Sequence, residues 1–362
     1  MQKPDLMAFA PFFLFMNVIV MEDPSIVLPS EWTEQSGVML TWPHEDSDWN
    51  YILDEVTSCY VNVAREIAKR ERLLVVCRDE EKVRSLLSDI QDNITFKVID
   101  SNDTWARDHG PITVFVDGVP MLYDFQFNGW GLKFAANKDN QISRQLFEKE
   151  TFTSETGYYS LLHYVLEGGS IESDGKGTML TTSECLLSCN RNESISKEEV
   201  EEFLKQVFGL RRVLWIDHGY LSGDDTDSHV DTLARFCKEN TIAYVQCEDK
   251  DDEHYDELKR MEEELKTFKK VDGEPYNLVA LPLPSAKYED GSRLPATYAN
   301  FLIINNAVLV PTYGVKEDKI AIERLQQVFT DREIVGVDCS VLIRQHGSLH
   351  CITMQFPKGV LK

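Results

Sequence analysis

The sequence predicts a single α/β domain built from many short mixed sheets. Strand-like apolar runs alternate with amphipathic helical segments along its length, and no Pro/Gly/Ser-rich linker divides it. Neither GxGxxG nor a Walker A sequence occurs to suggest a doubly wound nucleotide-binding unit. In chain order, strands are expected at 38–42, 73–77, 95–99, 112–116 and 121–127. Further strands are expected at 213–216, 241–245, 278–283, 301–304, 307–310, 334–337 and 351–356. Val56, Tyr60, Val63 and Ile67 fall at i, i+4, i+7 and i+11, one face of a helix. Asp79 precedes Val83, Leu86, Leu87 and Ile90 in the same fashion. Ser196 and Glu199 form a capping box that opens a helix with Val200, Phe203, Leu204 and Val207 inward. The acidic tract 248–264 leads into Leu258, Met261, Leu265 and Phe268 at helical spacing, so it reads as an amphipathic helix with a solvated acidic face.

With 362 residues, 43% hydrophobic and 27% charged, the chain has globular proportions. Lys+Arg 37 against Asp+Glu 61 leaves a net charge of −24. So negative a surface opposes nucleic acid or an anionic membrane as partner and suits a cationic small substrate. Eight scattered cysteines form no CxxC pair and mostly sit in apolar runs, which reads as buried thiols of a reducing compartment. No Cys/His spacing suggests structural zinc. Residues 1–27 form an extension whose core, 9–21 (FAPFFLFMNVIVM), has the length of a signal-peptide apolar region and is too short to span a bilayer. Met21 offers an ordinary soluble start, so the expectation is a cytoplasmic protein with an over-extended start. Export is the alternative if 9–21 is a signal. Residues 28–362 are read as one catalytic domain.

Four polar stretches interrupt the apolar pattern. WARDHGP at 105–111 reads, taken alone, as a salt-bridged turn or as a functional loop. LEGGS at 166–170 pairs two glycines, either an ordinary turn or a place where backbone approaches something closely. DDTDSHVD at 224–231 lacks the glycine and terminal Glu of a calcium loop. Were it a strand, His229 and Asp231 would project to one side. HGSLHC at 346–351 places Cys351 among His346, Gly347, Ser348 and His350, a setting that can expose and stabilise a thiolate, and starts an apolar strand. A cysteine, a histidine and several carboxylates together suggest nucleophilic catalysis on an electrophilic carbon. Carboxylates around a thiol raise its pKa unless a cation is present, and a guanidinium, with its planar donor fork, resolves that conflict.

WARDHGP, LEGGS, DDTDSHVDTLARF and GSLHCITMQ, in this order, resemble the motifs of the agmatine deiminase family within the guanidine-modifying pentein superfamily. The resemblance runs from about 28 to 357. It implies a five-bladed α/β propeller with the active site in its central channel. It implies Cys351 as nucleophile, Asp108 and Asp231 as the guanidinium clamp, His229 as general acid and base, and Glu167 as the acid that orients it. Trp105, Asn300 and Trp130 would line the substrate pocket, and Arg107 would pair with a nearby acid. The implied reaction, without metal or cofactor, converts agmatine and water to N-carbamoylputrescine and ammonia, a step toward putrescine, in a possible homodimer. A peptidylarginine or other arginine-type deiminase, an amidinotransferase and a non-catalytic pentein binding protein are the alternatives. The glycine run familiar before the family's nucleophile is shortened here to His346-Gly-Ser-Leu-His-Cys, and Arg293 and Arg344 are the cations to watch for a substrate carboxylate.

Overall fold

Five times along the chain the same unit recurs: two antiparallel strands, then a helix, then a third strand parallel to the second. A computed structural model describes residues 24–362 apart from 91 and 194, so the apolar segment 9–21 and the Met21 start lie outside the described residues. The first complete unit joins Ile112–Val116, Val119–Gln126 and Gly157–Val165, crossed by the helix Ile142–Glu148, with Ile26–Val27 added at its edge. Asp117 and Gly118 link the first two strands, both with positive φ, as a two-residue hairpin turn requires. The second unit pairs Ile171–Ser173, Thr178–Thr182 and Arg212–Ile216 around the helix Lys197–Phe208. Ala234–Lys238, Thr241–Gln246 and Asn277–Pro282 follow with the helix Tyr255–Thr267. Leu302–Ile304, Ala307–Thr312 and Glu333–Asp338 come next with Glu317–Val328. The last unit closes the chain on itself: C-terminal Thr353–Pro357 pairs with Gln35–Thr41, which runs parallel to Arg72–Cys77 across the helix Leu53–Ala68. Ile94–Val98 extends that sheet.

The helices follow from their apolar faces. Val56, Tyr60, Val63 and Ile67 are all fully buried against the sheet that contains Val38, Leu40, Leu73 and Val75. Both halves of the Ser196–Glu199 capping box form, and Gly209 ends that helix in the left-handed region, satisfying donors and acceptors that would otherwise be orphaned. The acidic helix Tyr255–Thr267 buries Leu258, Met261 and Leu265, and buried Glu262 and exposed Glu263 pair with Lys259 and Lys266. The helix after Asp79 is shorter than its apolar spacing suggested, ending at Leu86, which is exposed.

Several strands escaped sequence reading. Thr178–Thr182 is wholly buried yet holds three threonines, and Gly157–Val165 mixes Tyr, Ser and His on an edge, so neither shows an apolar run. Two local expectations are corrected. Cys351 does not start the last strand, which begins at Thr353; it lies in the turn before it, where Thr353 N–H bonds to His350 carbonyl. His229 and Asp231 are not on a strand either. His229 is the N-cap residue of the one-turn helix Val230–Leu233, and the two side chains still come together around Gly169. All eight cysteines are free thiols, and only Cys189 is exposed. Among the described residues no helix is long and apolar enough to cross a membrane.

Candidate active site

The first strand of each recurring unit is preceded by a short polar turn, and the functional side chains come from those five turns. Asp108 precedes Ile112, Glu167 to Gly169 precede Ile171, His229 and Asp231 precede Ala234, Asn300 precedes Leu302 and Cys351 precedes Thr353. Asp108, Glu167, His229, Asp231, Asn300 and Cys351 are thereby gathered in the interior and are all buried.

Asp108 accepts from Gly169 N–H on Oδ1 (3.0 Å) and from the Trp130 indole on Oδ2 (3.0 Å), and His229 Nδ1 lies 3.6 Å from Oδ1. The paired glycines make this possible. A Cβ on Gly169 would fall 2.6 Å from His229 Nδ1, 2.8 Å from Asp108 Oδ1 and 3.1 Å from Asp231 Oδ2. The Cys351 thiol is 3.3 Å from Asn300 Oδ1 and 3.9 Å from Asp231 Oδ2. Asp231 Oδ1 is buried without a hydrogen-bond partner, an acceptor left open, while the His229 ring also lies by Cys185 and Glu167.

A pocket of about 420 Å³, including its open mouth, leads to this group. Trp105, Asp108, Trp130 and Cys351 form part of its wall with Phe134 and Gly347. Trp105 lies so close to Gly347 that a Cβ there would come within 2.2 Å of the ring. Trp130 holds a left-handed backbone (φ 54°) that costs a bulky residue energy, and the indole bond to Asp108 and edge-on packing against Phe127 and Phe134 stabilise it. Asn300 departs from the expected pocket role. It sits behind the nucleophile, where Oδ1 accepts from the backbone N–H of His350 (2.9 Å) and Cys351 (3.3 Å) and so shapes the thiol's turn. Arg107 bonds to Gln355 and Met354 rather than to an acid. Glu167 gives both oxygens to Arg191 Nε at 3.0 Å, within reach of His229. Arg191 also holds Asp227 (2.6 Å) and the Thr226 carbonyl (2.8 Å), fastening the turn that carries His229.

Charge follows from burial and neighbours. Burial pushes Asp108 up to about 6 against the pull of His229. Burial alone would raise Asp231 as well, but His350, His229 and Arg235 outweigh it and hold that carboxyl below its ordinary range. Burial would lower His229, yet Asp108, Cys185 and Glu167 raise it to about 10, so the ring is an imidazolium at neutral pH. Burial, then Asp231 and Asp108, push the Cys351 thiol well up. Two clusters have metal-ligand composition, Glu167/Cys185/His229 and Glu31/Glu172/His350. Arg191 already pairs with the carboxylate of the first and Arg235 with both of the second, which opposes another cation. Asp227 of the acidic stretch 224–231 is likewise taken, by Arg191 and Lys133. Sequence reading missed Arg191, Arg235 and Glu31, since no local pattern links them to the site.

The comparisons with known proteins agree with this geometry. Residues 27–357 match the family model of the Porphyromonas-type peptidyl-arginine deiminase. A structure named "Putative Arginine Deiminase from Porphyromonas gingivalis" is 51% identical and covers 93% of this chain and 100% of its own, with a TM-score of 0.90. C. jejuni agmatine deiminase with substrate bound is 40% identical over 96% of this chain and 100% of its own, at a TM-score of 0.88. The agmatine deiminase of Enterococcus faecalis is 31% identical over 94% and 99%, at 0.84. With Cys351 and Asp108 in the wall of one pocket, Asp231 and His229 buried against them, and the match spanning residues 27–357, the chain belongs to the Porphyromonas-type peptidyl-arginine deiminase family.

Proposed function

We propose that this protein is an agmatine deiminase, hydrolysing the guanidinium of agmatine through a covalent adduct on Cys351. The observation that carries this reading is the charge of the pocket wall. It contains Asp48, Asp103, Asp108 and Asp225, with His346, and among the described residues no Lys or Arg. Agmatine has a guanidinium at one end, an ammonium at the other and no carboxylate. Free arginine, or a peptide ending in arginine, brings a carboxylate that this wall leaves without a counter-charge. Arg293 is engaged by Asp252 and Glu253, and Arg344 by Glu289 and Glu55, and neither is part of the pocket wall.

Asp231, through its open Oδ1, and Asp108 receive the guanidinium N–H groups. The arriving cation offsets the two carboxylates that hold the thiol protonated, so binding itself favours the thiolate, and the thiol proton passes to solvent. Cys351 sulfur then bonds to the guanidinium carbon. His229, an imidazolium beforehand, donates its proton to one nitrogen as the C–N bond breaks and ammonia leaves. The neutral imidazole next takes a proton from water, whose oxygen attacks the amidino carbon. The C–S bond breaks, returning the thiolate and releasing N-carbamoylputrescine, one hydrolysis short of putrescine. The same reading takes the five sheets of three or four strands as the blades of a five-bladed propeller around this site, and the free thiols as suited to the cytoplasm.

Two results follow. The value of kcat/KM falls as pH drops through about 6, because Asp108 then takes a proton and loses its charge. It falls again above about 10, where His229 no longer has a proton to give. Ammonia release measured across both limits checks this. Asp225, raised by burial and 3.9 Å from His346 Nε2, is placed for the ammonium end. Asp225→Asn is expected to raise KM for agmatine by roughly tenfold while leaving KM for butylguanidine, which lacks the ammonium, little changed. An equal change for both substrates counts against the tail contact.

A further inference from the structure

Asp231 meets the nucleophile with one oxygen already engaged. Its Oδ2 accepts from His350 Nδ1 at 2.8 Å, while Oδ1 has no partner. On the far side of the imidazole, Nε2 lies 3.1 Å from Arg235 Nη2 and 2.9 Å from Glu31 Oε2. Arg235 is bonded to Glu31, to Glu172 and to the carbonyls of Ala299 (3.2 Å) and Phe301 (2.8 Å), so its guanidinium cannot swing away. The His350 side chain is 2% exposed and that of Arg235 is fully buried. His350 is absent from the wall of the substrate pocket and borders a different cavity of about 700 Å³ with Glu31, Glu172 and Arg107. No catalytic step uses these groups, yet one of them touches the guanidinium clamp.

We propose that Glu31, Arg235 and His350 form a positioning relay that fixes the His350 ring and thereby aims Asp231 Oδ1 at the substrate guanidinium; it rests on the deiminase reading. An ionised carboxylate only accepts, so His350 must carry its proton on Nδ1. Burial, then Arg107 and Arg235, lower the pKa of the ring against the pull of Glu31 and Asp231. Nε2 is clamped between Arg235 Nη2 and Glu31 Oε2, so the ring cannot turn away from Asp231. Glu31 binds that same Nη2 and balances its charge. The backbone N–H groups of His350 and Cys351 both bond to Asn300 Oδ1, so imidazole and thiol are fixed on one turn and the relay places clamp and nucleophile together. The charged groups around Asp231 divide: His350, His229, Arg235 and Arg107 favour its carboxylate, whereas Asp108, Glu172 and the Cys351 thiol oppose it.

The test compares His350→Leu, His350→Asn and Glu31→Gln in the full chain. The asparagine keeps an N–H donor near the Nδ1 position; the leucine removes it. Three quantities are read: KM and kcat for agmatine, the acid limb of kcat/KM, and the rate at which 2-chloroacetamidine alkylates Cys351 by intact mass. In that last reaction sulfur bonds to the methylene carbon, the C–Cl bond breaks, chloride leaves and the thiol proton passes to solvent. His350→Leu is expected to raise KM and slow alkylation by about tenfold or more, with His350→Asn recovering to within about threefold and Glu31→Gln falling between. Losing the His350 bond also shifts the acid limb toward neutral pH, because Asp231 then protonates more readily. A folded His350→Leu with wild-type KM, alkylation rate and acid limb overturns the relay. So does a folded His350→Asn no better than the leucine. Should His350→Leu fail to fold, Glu31→Gln decides, and unchanged KM and alkylation rate overturn the relay. Wild-type protein that is alkylated at Cys351 but does not turn over agmatine removes the substrate reading and leaves the relay to the alkylation series.

Discussion

Cys351→Ser loses turnover of agmatine by about 10⁴-fold or more while the protein still folds, because a serine hydroxyl in the same place is a far weaker nucleophile than a thiolate. The substitution is nearly isosteric. It keeps a donor toward Asn300 Oδ1, 3.3 Å from the present sulfur, so the turn before Thr353 has no reason to rearrange. The thiol titrates well above its ordinary range in the empty site, and it gains its charge only when a cation reaches Asp231 and Asp108. A hydroxyl starts from a much higher pKa, and the same cation cannot bring it within reach. Turnover by ammonia release, with thermal unfolding of the same preparation, checks the expectation. Activity near that of the wild type would end the nucleophile assignment.

The second large effect is expected at a residue with no side chain. Gly169→Ala is expected to lower kcat/KM by about 10²-fold or more, as a displacement of catalytic groups by about an ångström does. The new methyl would meet His229 Nδ1 at 2.6 Å, Asp108 Oδ1 at 2.8 Å and Asp231 Oδ2 at 3.1 Å, so the acid–base ring and both clamp carboxylates must move apart. The Gly169 backbone N–H also donates to Asp108 Oδ1, and displacing it releases that carboxylate. Neighbouring Gly168 differs. There a Cβ would press on the Arg107 carbonyl at 2.3 Å, a backbone clash whose first effect is on folding. Steady-state kinetics on folded Gly169→Ala, with circular dichroism to show that it is folded, separates the two. Retention of full activity would mean that the three groups are not held at the positions described.

Much of the site was legible because catalysis forces polar residues into places where apolar ones would pack better. Asp108, Glu167, His229, Asp231 and Cys351 each stand out against an adjoining strand. The glycines at 168 and 169 advertise a close approach, which the structure places against the Arg107 carbonyl for Gly168 and among Asp108, His229 and Asp231 for Gly169. What escaped had no local signal. Glu31 and His350 are 319 positions apart, and Arg235 and Glu31 are 204 apart, so their network arises only when the C-terminal strand closes against the N-terminal one. Asn300 sits in an ordinary-looking run, and its carbonyl oxygen matters only because the turn of Cys351 folds over it. The apolar pattern read as short alternating elements, and the fivefold recurrence was suggested only by the motif resemblance. Strands such as Thr178–Thr182 are buried through threonine, and the tightness of a turn leaves little trace in apolar periodicity. Local expectations failed where a turn replaced a strand, at His229 and at Cys351. Those departures bring the imidazole and thiol to the centre.

The claim that the acidic pocket selects a substrate with two cationic ends is tested most directly by one comparison. Ammonia release is measured for agmatine, free arginine and a peptide ending in arginine under the same conditions. The pocket described here predicts kcat/KM for agmatine at least about 10²-fold above either of the others, because a carboxylate facing Asp48, Asp103 and Asp225 finds no counter-charge. Equal or better turnover of the peptide would contradict it.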